Sequence, residues 1–209
     1  MTATPMKLLW SSRSPFARKV MVAAHEVGLA GRVLTERVVV SADKPNTDVM
    51  AVNPLNKIPT LVLQDGMALY DSRVICEYFD SLQGGPKLLP SDGAARWLAL
   101  RRQALGDGLL DVLILRLVEQ NRPGAMQSES HLAAYRLKIA TTLDRIEASG
   151  IESSEQTDVG HIAMGCALGY LDFRFAADKW RIGRPRLSGW YAEFSSRPSM
   201  RVTEHADTY

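Results

Sequence analysis

The chain is short of cysteine, of net charge and of uninterrupted apolar sequence, and each shortage removes a class of protein. Cys76 and Cys166 are the only cysteines in 209 residues. That is too few for a disulfide framework, and no CxxC or Cys/His spacing offers a zinc site. Each lies in an apolar stretch (Val74-Ile75-Cys76; Ala163 to Ala167), so both read as buried thiols acting as small hydrophobes. Lys+Arg total 25 against 23 for Asp+Glu, a net charge of +2 that is too balanced for a nucleic-acid or membrane-surface protein. The most apolar stretch, Leu109 to Val118, is broken by Asp111 and Arg116 and cannot span a bilayer. The N-terminal run Leu8-Leu9-Trp10 is too short for a signal-peptide core. These shortages predict a cytoplasmic, reduced protein with no metal, no nucleic-acid partner and no membrane partner.

What is present is an ordinary globular composition, 46% apolar and 23% charged. At about 150 residues per domain, its length allows one large domain or two small ones. The first part alternates strand-like and helix-like runs. Lys7 to Ser11 is strand-like, and Pro15 to Val27 reads as a helix with Ser14 as N-cap, Pro15 at the first helical position and Gly28 as the stop. Arg32 to Val40 is a valine-rich strand, and Ser41 to Asn53 has room for a short irregular helix. Thr60 to Gln64 and Met67 to Tyr70 form a hairpin around Asp65-Gly66. Ser72 to Leu82 is helical, with Val74, Ile75, Tyr78, Phe79 and Leu82 on its apolar face. The order predicts a mixed sheet covered by helices.

Turn residues from Gly84 to Pro90 mark a linker, after which the pattern is purely helical. Ala94 to Arg122 is one long helical stretch with a bend allowed at Gly106-Asp107-Gly108. Ser130 to Ala148 carries a stripe at Leu132, Tyr135, Ile139, Leu143 and Ile146. Val159 to Ala176 is apolar nearly all round and predicts a buried central helix, whose Gly165 and Gly169 offer a close helix contact. Leu187 to Ser195 is the last clear helix before a break at Arg197-Pro198. The division is therefore residues 1–83, a linker over 84–90, and a helical domain over 91–209.

Chemistry concentrates at three strand-to-helix or loop-to-strand junctions of the first part. Ser11-Ser12-Arg13-Ser14-Pro15-Phe16 gathers free backbone N–H groups and the positive end of a helix, which favours an anion; a serine there can also simply cap its own helix. Asn53 to Leu61 enters a strand through Ile58-Pro59, and a cis proline would leave the Ile58 backbone free to pair with an extended peptide, whereas a trans proline would merely start the strand. At Tyr70-Asp71-Ser72, Asp71 can accept from an ammonium and Ser72 with its helix start can hold a carboxylate, or the pair serves only as a cap.

The order of these motifs resembles the glutathione transferase family: Ser-Pro-Phe after the first strand, Ile-Pro-Thr-Leu before the third, Asp-Ser before a helix. Asp158-Val159-Gly160-His161-Ile162-Ala163 with Gly165 to Arg174 is similar to that family's central helix, and Trp190-Tyr191 with Arg197-Pro198-Ser199 to its closing segment. The resemblance implies a thioredoxin-like α/β N-terminal domain with a mixed four-stranded sheet, an all-α C-terminal domain and a homodimer.

It further implies that glutathione lies extended over the first domain. Ile58 would pair with its cysteinyl backbone beside a cis Pro59, and Asp71 and Ser72 would hold its γ-glutamyl end. Lys57 would reach a carboxylate, with Phe16 on the same surface. An apolar electrophile would sit between the domains against the long helix. Ser14 aligns with the serine or cysteine that precedes Pro-Phe in the tau and omega classes and is the first candidate for holding the thiolate; Ser11 and Ser12 are rivals. A non-catalytic binding module and a glutathione-dependent reductase or isomerase remain as alternatives, although a serine cannot form the mixed disulfide of a reductase. The central helix departs from the family pattern: Asp158 keeps the cap, but His161 stands where the reciprocal carboxylate is expected and Thr157 where an apolar staple residue is expected, which predicts a weaker helix start.

Overall fold

The computed structural model describes residues 5–41, 43–82, 84–85, 87–151 and 157–207. Residues 1–4, 42 and 83 of the expected first domain, Pro86 of the expected linker, and residues 152–156 and 208–209 of the expected helical domain lie outside these. The chain divides into two compact units, one running to Trp97 and taking up the residues from Pro198 onward, the other Leu98–Arg197.

In the first unit, β1 (Met6–Trp10), α1 (Pro15–Glu26), β2 (Val33–Arg37), α2 (Thr47–Met50), β3 (Thr60–Val62), β4 (Ala68–Leu69) and α3 (Ser72–Ser81) follow in order. The sheet order is β2-β1-β3-β4. β1 is central because its apolar residues Met6, Leu8 and Leu9 need cover on both sides, and all are buried. It runs parallel to β2 (Leu8↔Thr35) and antiparallel to β3 (Leu9↔Thr60), which in turn pairs antiparallel with β4 (Leu61↔Leu69). A parallel pair needs a crossover, and α1 supplies it. This mixed four-stranded sheet with its helices is the thioredoxin-like architecture expected.

The Asp65-Gly66 hairpin forms as expected: Gly66 takes a φ of +86°, and the Asp65 carboxylate accepts from the Met67 N–H at 2.9 Å. On α3 the buried face is Ser72, Ile75, Cys76, Phe79 and Asp80. Val74 and Leu82, expected on that face, are exposed, because the face turns toward Cys76 and Asp80 rather than toward them. The Asp80 side chain accepts from the Leu88 N–H at 2.5 Å, which explains a buried acid on an apolar face. A short helix beyond the expected break, α8 (Pro198–Val202), packs on α1.

The second unit holds most of α4 (Gly93–Gln120), with α5 (Glu129–Ser149), α6 (Val159–Phe175) and α7 (Pro185–Ser195). α6 is buried over nearly its whole length, as its all-round apolarity predicts. α4 is continuous through Gly106 and Gly108. Gly106 is a packing residue: a Cβ there would lie 2.7 Å from the Ala163 carbonyl carbon and 2.8 Å from the Met164 nitrogen of α6. Gly160 makes the reciprocal approach, 2.7 Å from the Ala99 carbonyl oxygen. A close helix contact therefore falls at Gly106 and Gly160.

The expected weak start of α6 is corrected. The Asp158 carboxylate accepts from the Gly160 and His161 N–H groups at 2.9 and 3.0 Å, while His161 Nδ1 accepts from the Asp158 N–H at 3.1 Å. The imidazole thus completes the capping box in place of a carboxylate, since a neutral ring nitrogen is an acceptor. Arg102 adds an ion pair to Asp158. Burial pushes the Asp158 carboxyl up, but hydrogen bonds from His161 and Arg102 outweigh it and bring it from 3.8 to about 2.

Candidate functional site

Strand register alone collects the three junctions. Leu9 faces Thr60 and Leu61 faces Leu69, so the chain leaving β1, the chain entering β3 and the chain leaving β4 emerge at the same end of the sheet. That end carries Ser11 to Phe16, Lys57 to Pro59, and Tyr70 to Ser72.

At the first junction three serines do three different things. Ser14 is the N-cap of α1, its Oγ accepting from the Ala17 N–H at 3.2 Å, and it is partly exposed. Capping uses a lone pair and leaves the hydroxyl proton to donate elsewhere. Ser11 Oγ accepts from the Arg13 N–H at 3.3 Å. Ser12 instead donates its proton to the Ala206 carbonyl at 2.9 Å, so its donor is already committed. Phe16 is the second residue of α1 and is half-buried.

The second junction is built on Asn53, which is 1% exposed. Its side-chain amide donates to the Lys57 carbonyl at 3.0 Å and to Thr60 Oγ1 at 2.9 Å, and its oxygen accepts from the Leu55 N–H at 3.1 Å. Thr60 Oγ1 closes the loop with a 3.0 Å bond to the same Lys57 carbonyl. Asn56 occupies the left-handed region at φ +53°, its amide fixed by the Asn46 N–H and the Ser41 carbonyl. The Ile58-Pro59 peptide is cis, and the β3 ladder begins only at Thr60, so the Ile58 backbone lies outside the sheet pairing. Lys57 is exposed, Ile58 half-buried and Pro59 buried.

At the third junction Asp71 caps α3, one carboxylate oxygen accepting from the Arg73 N–H at 2.9 Å. Asp71 is exposed, and the peptide before it, Tyr70-Asp71, is also cis. Ser72 is buried and opens the helix, and Lys19 Nζ donates to its Oγ at 3.3 Å. Two helix starts and a loop backbone thus face one end of the sheet, each able to engage part of an extended anionic peptide.

Residues 13–82 match the glutathione S-transferase N-terminal domain model. The uncharacterised GST-like protein YibF of Escherichia coli K12 is 36% identical over 202 residues, 95% of this chain and 98% of its own. The chain belongs to the glutathione S-transferase family. Among solved structures similar to it, a family member from Pseudomonas fluorescens Pf-5 with bound glutathione has a TM-score of 0.90 at 40% identity, covering 96% of this chain and 99% of its own. A glutathione S-transferase from Methylobacillus flagellatus KT, also with glutathione bound, gives 0.86 at 36% identity, over 96% and 100% of the two chains.

Two features of this glutathione S-transferase family chain escape a reading of its motifs. The C-terminal segment is tied to the Ser-Pro-Phe loop: His205 Nδ1 lies 3.0 Å from the Ser12 carbonyl, the Ala206 N–H reaches the same oxygen at 3.4 Å, and Arg13 pairs with Asp207 at 3.0 Å. Such a contact between residues nearly the whole chain apart leaves no local pattern. The second is Lys19, fully buried beneath Ser72. It did leave a signal, for a lysine sits on the helical stripe of Phe16, Val20 and Ala23 where an apolar residue is expected. Among the described residues no helix is long and apolar enough to cross a membrane.

Proposed function

We propose that the protein is a glutathione transferase, joining the glutathione thiolate to small apolar electrophiles. The observation that carries this reading is the convergence of the three junctions at one sheet end, with a serine hydroxyl proton uncommitted at the start of α1. The Ile58 backbone, outside the ladder, pairs with the cysteinyl unit beside cis Pro59. Asp71 takes the γ-glutamyl ammonium on its exposed carboxylate, Ser72 and the α3 start take its α-carboxylate, Lys57 reaches a carboxylate, and Phe16 borders the thiol.

The chemical task is to keep the thiol ionised. A thiol of pKa about 8.5 is only about 3% thiolate at pH 7. A helix terminus lowers this by at most about 1.5 units, from about 2 kcal/mol in favourable sites. That leaves about half the thiol protonated, so a positioned hydroxyl donor is needed as well. Ser14 fits because capping consumes only its lone pair. Ser12 fits poorly because its proton goes to Ala206. A cytoplasmic homodimer accompanies this reading; light scattering in solution tests the dimer.

The test is calorimetric titration with glutathione alongside conversion of a model aryl halide. Binding with conversion supports the reading. Binding without conversion, and without thiolate absorbance near neutral pH, would leave a glutathione-binding module; no binding at all would end it.

A further inference from the structure

We infer that Lys19 is a positioning residue for glutathione: its buried ammonium orients and polarises the Ser72 hydroxyl toward the γ-glutamyl α-carboxylate. The inference rests on the glutathione-binding reading above and names how one end of that site is made selective for an anion.

Lys19 is 0% exposed and is among the largest fully buried side chains of the protein. It lies on α1, which packs against α3, and its Nζ reaches Ser72 Oγ at 3.3 Å. An ammonium has donors and no acceptor, so in this contact the serine oxygen accepts. The Ser72 proton is thereby turned away from Lys19 and is available to donate to a ligand. The first N–H groups of α3 have no partners within the helix and point the same way. A carboxylate placed there meets a hydroxyl donor, the helix-start N–H groups other than that of Arg73, which Asp71 takes, the helix dipole and, behind the hydroxyl, the buried Lys19 ammonium.

Apolar packing alone does not call for a lysine here. Burying an ammonium is costly, and leucine or methionine would fill the same slot on the stripe of Phe16, Val20 and Ala23 without that cost. One helix then serves both ends of the tripeptide, with Ser14 at its cap for the sulfur and Lys19 beneath Ser72 for the γ-glutamyl carboxylate.

The experiment compares two probes, glutathione and glutathione amidated at the γ-glutamyl α-carboxylate, by calorimetry on wild type, Lys19→Met, Ser72→Ala and the double variant. Lys19→Met is expected to weaken glutathione about ten-fold, the loss of a charge-assisted contact, and to leave the amide unchanged. In the Ser72→Ala background the same substitution should have little further effect, because the charge acts through that hydroxyl. KM for glutathione should rise in step with Kd while kcat changes little. Equal weakening of both probes, or none of either, overturns the inference and leaves the glutathione reading intact. Failure of the wild type to bind glutathione would overturn both. Lys19→Gln keeps an N–H donor without the charge, and carries the same two-probe comparison, with the same overturning result, if the methionine variant does not fold.

Discussion

Replacing Asp158 by alanine removes two supports of the central helix at once. Its carboxylate caps α6 through Gly160 and His161, and loss of such a cap costs about 1 kcal/mol. It also pairs with Arg102, whose side chain is only 19% exposed, and stranding that guanidinium adds about 1–2 kcal/mol. The sum, about 2–3 kcal/mol, lowers the melting temperature by about 5–10 °C in a chain of this size. Asp158→Asn keeps an acceptor for the cap and loses only the charge, so about half of the loss is expected. The pH dependence follows from the lowered carboxyl. Its folded value of about 2 lies below the unfolded 3.8, so its contribution is complete above about pH 4 and disappears as the pH falls through about 2. The gap between wild type and Asp158→Asn in urea unfolding should narrow over that window and stay constant above it. A melting point of Asp158→Ala within about 1 °C of wild type, or an Asn variant as damaged as the Ala one, would refute this reasoning.

Gly106→Ala places a methyl against the α6 backbone and should destabilise by about 1–3 kcal/mol despite the better helix propensity. Gly108→Ala on the same helix meets nothing within 4 Å and should stabilise by about 0.5–1 kcal/mol, so paired melts test the sign of each. Asp172 accepts from Trp180 Nε1 at 2.8 Å and from both ends of the Arg181 guanidinium at 2.6 and 2.7 Å. Asp172→Ala should cost about 1–3 kcal/mol in urea unfolding, with Asp172→Asn milder because it keeps the acceptor for Trp180. Ser12→Ala releases the Ala206 carbonyl and should cost about 1 kcal/mol without shifting the ionisation of bound glutathione; an altered thiol titration in that variant would restore Ser12 as a rival to Ser14.

Local signals carried the fold well. Ser14-Pro15, Asp65-Gly66 and the all-round apolarity of Val159 to Ala176 each name a cap, a turn or a buried helix without help from the rest of the chain. The three junctions were legible as motifs, and their meeting at one sheet end follows once β3 is placed antiparallel to β1. What stayed hidden depends on tertiary neighbours. The Val74 and Leu82 positions fit a helical stripe but lie exposed, since the packed face includes Asp80, which earns its place through the Leu88 N–H. The close contact of α4 and α6 uses glycines on two helices, and only the crossing reveals which. Residues 205–207 holding the Ser12-Arg13 turn rest on contacts nearly the whole chain apart that no short pattern encodes. The His161 cap, by contrast, is local, three residues from Asp158, and escaped because the pattern asks for a carboxylate where an imidazole nitrogen also accepts.

The central claim is that Ser14 holds glutathione as its thiolate, and the most direct test is a spectrophotometric pH titration of the thiolate absorbance of bound glutathione in wild type and Ser14→Ala. The account predicts a midpoint in the wild type below the free-thiol value of about 8.5, rising by about 1–2 units in the variant, the worth of one hydrogen bond to a charged sulfur. A midpoint that Ser14→Ala leaves where it was would contradict it.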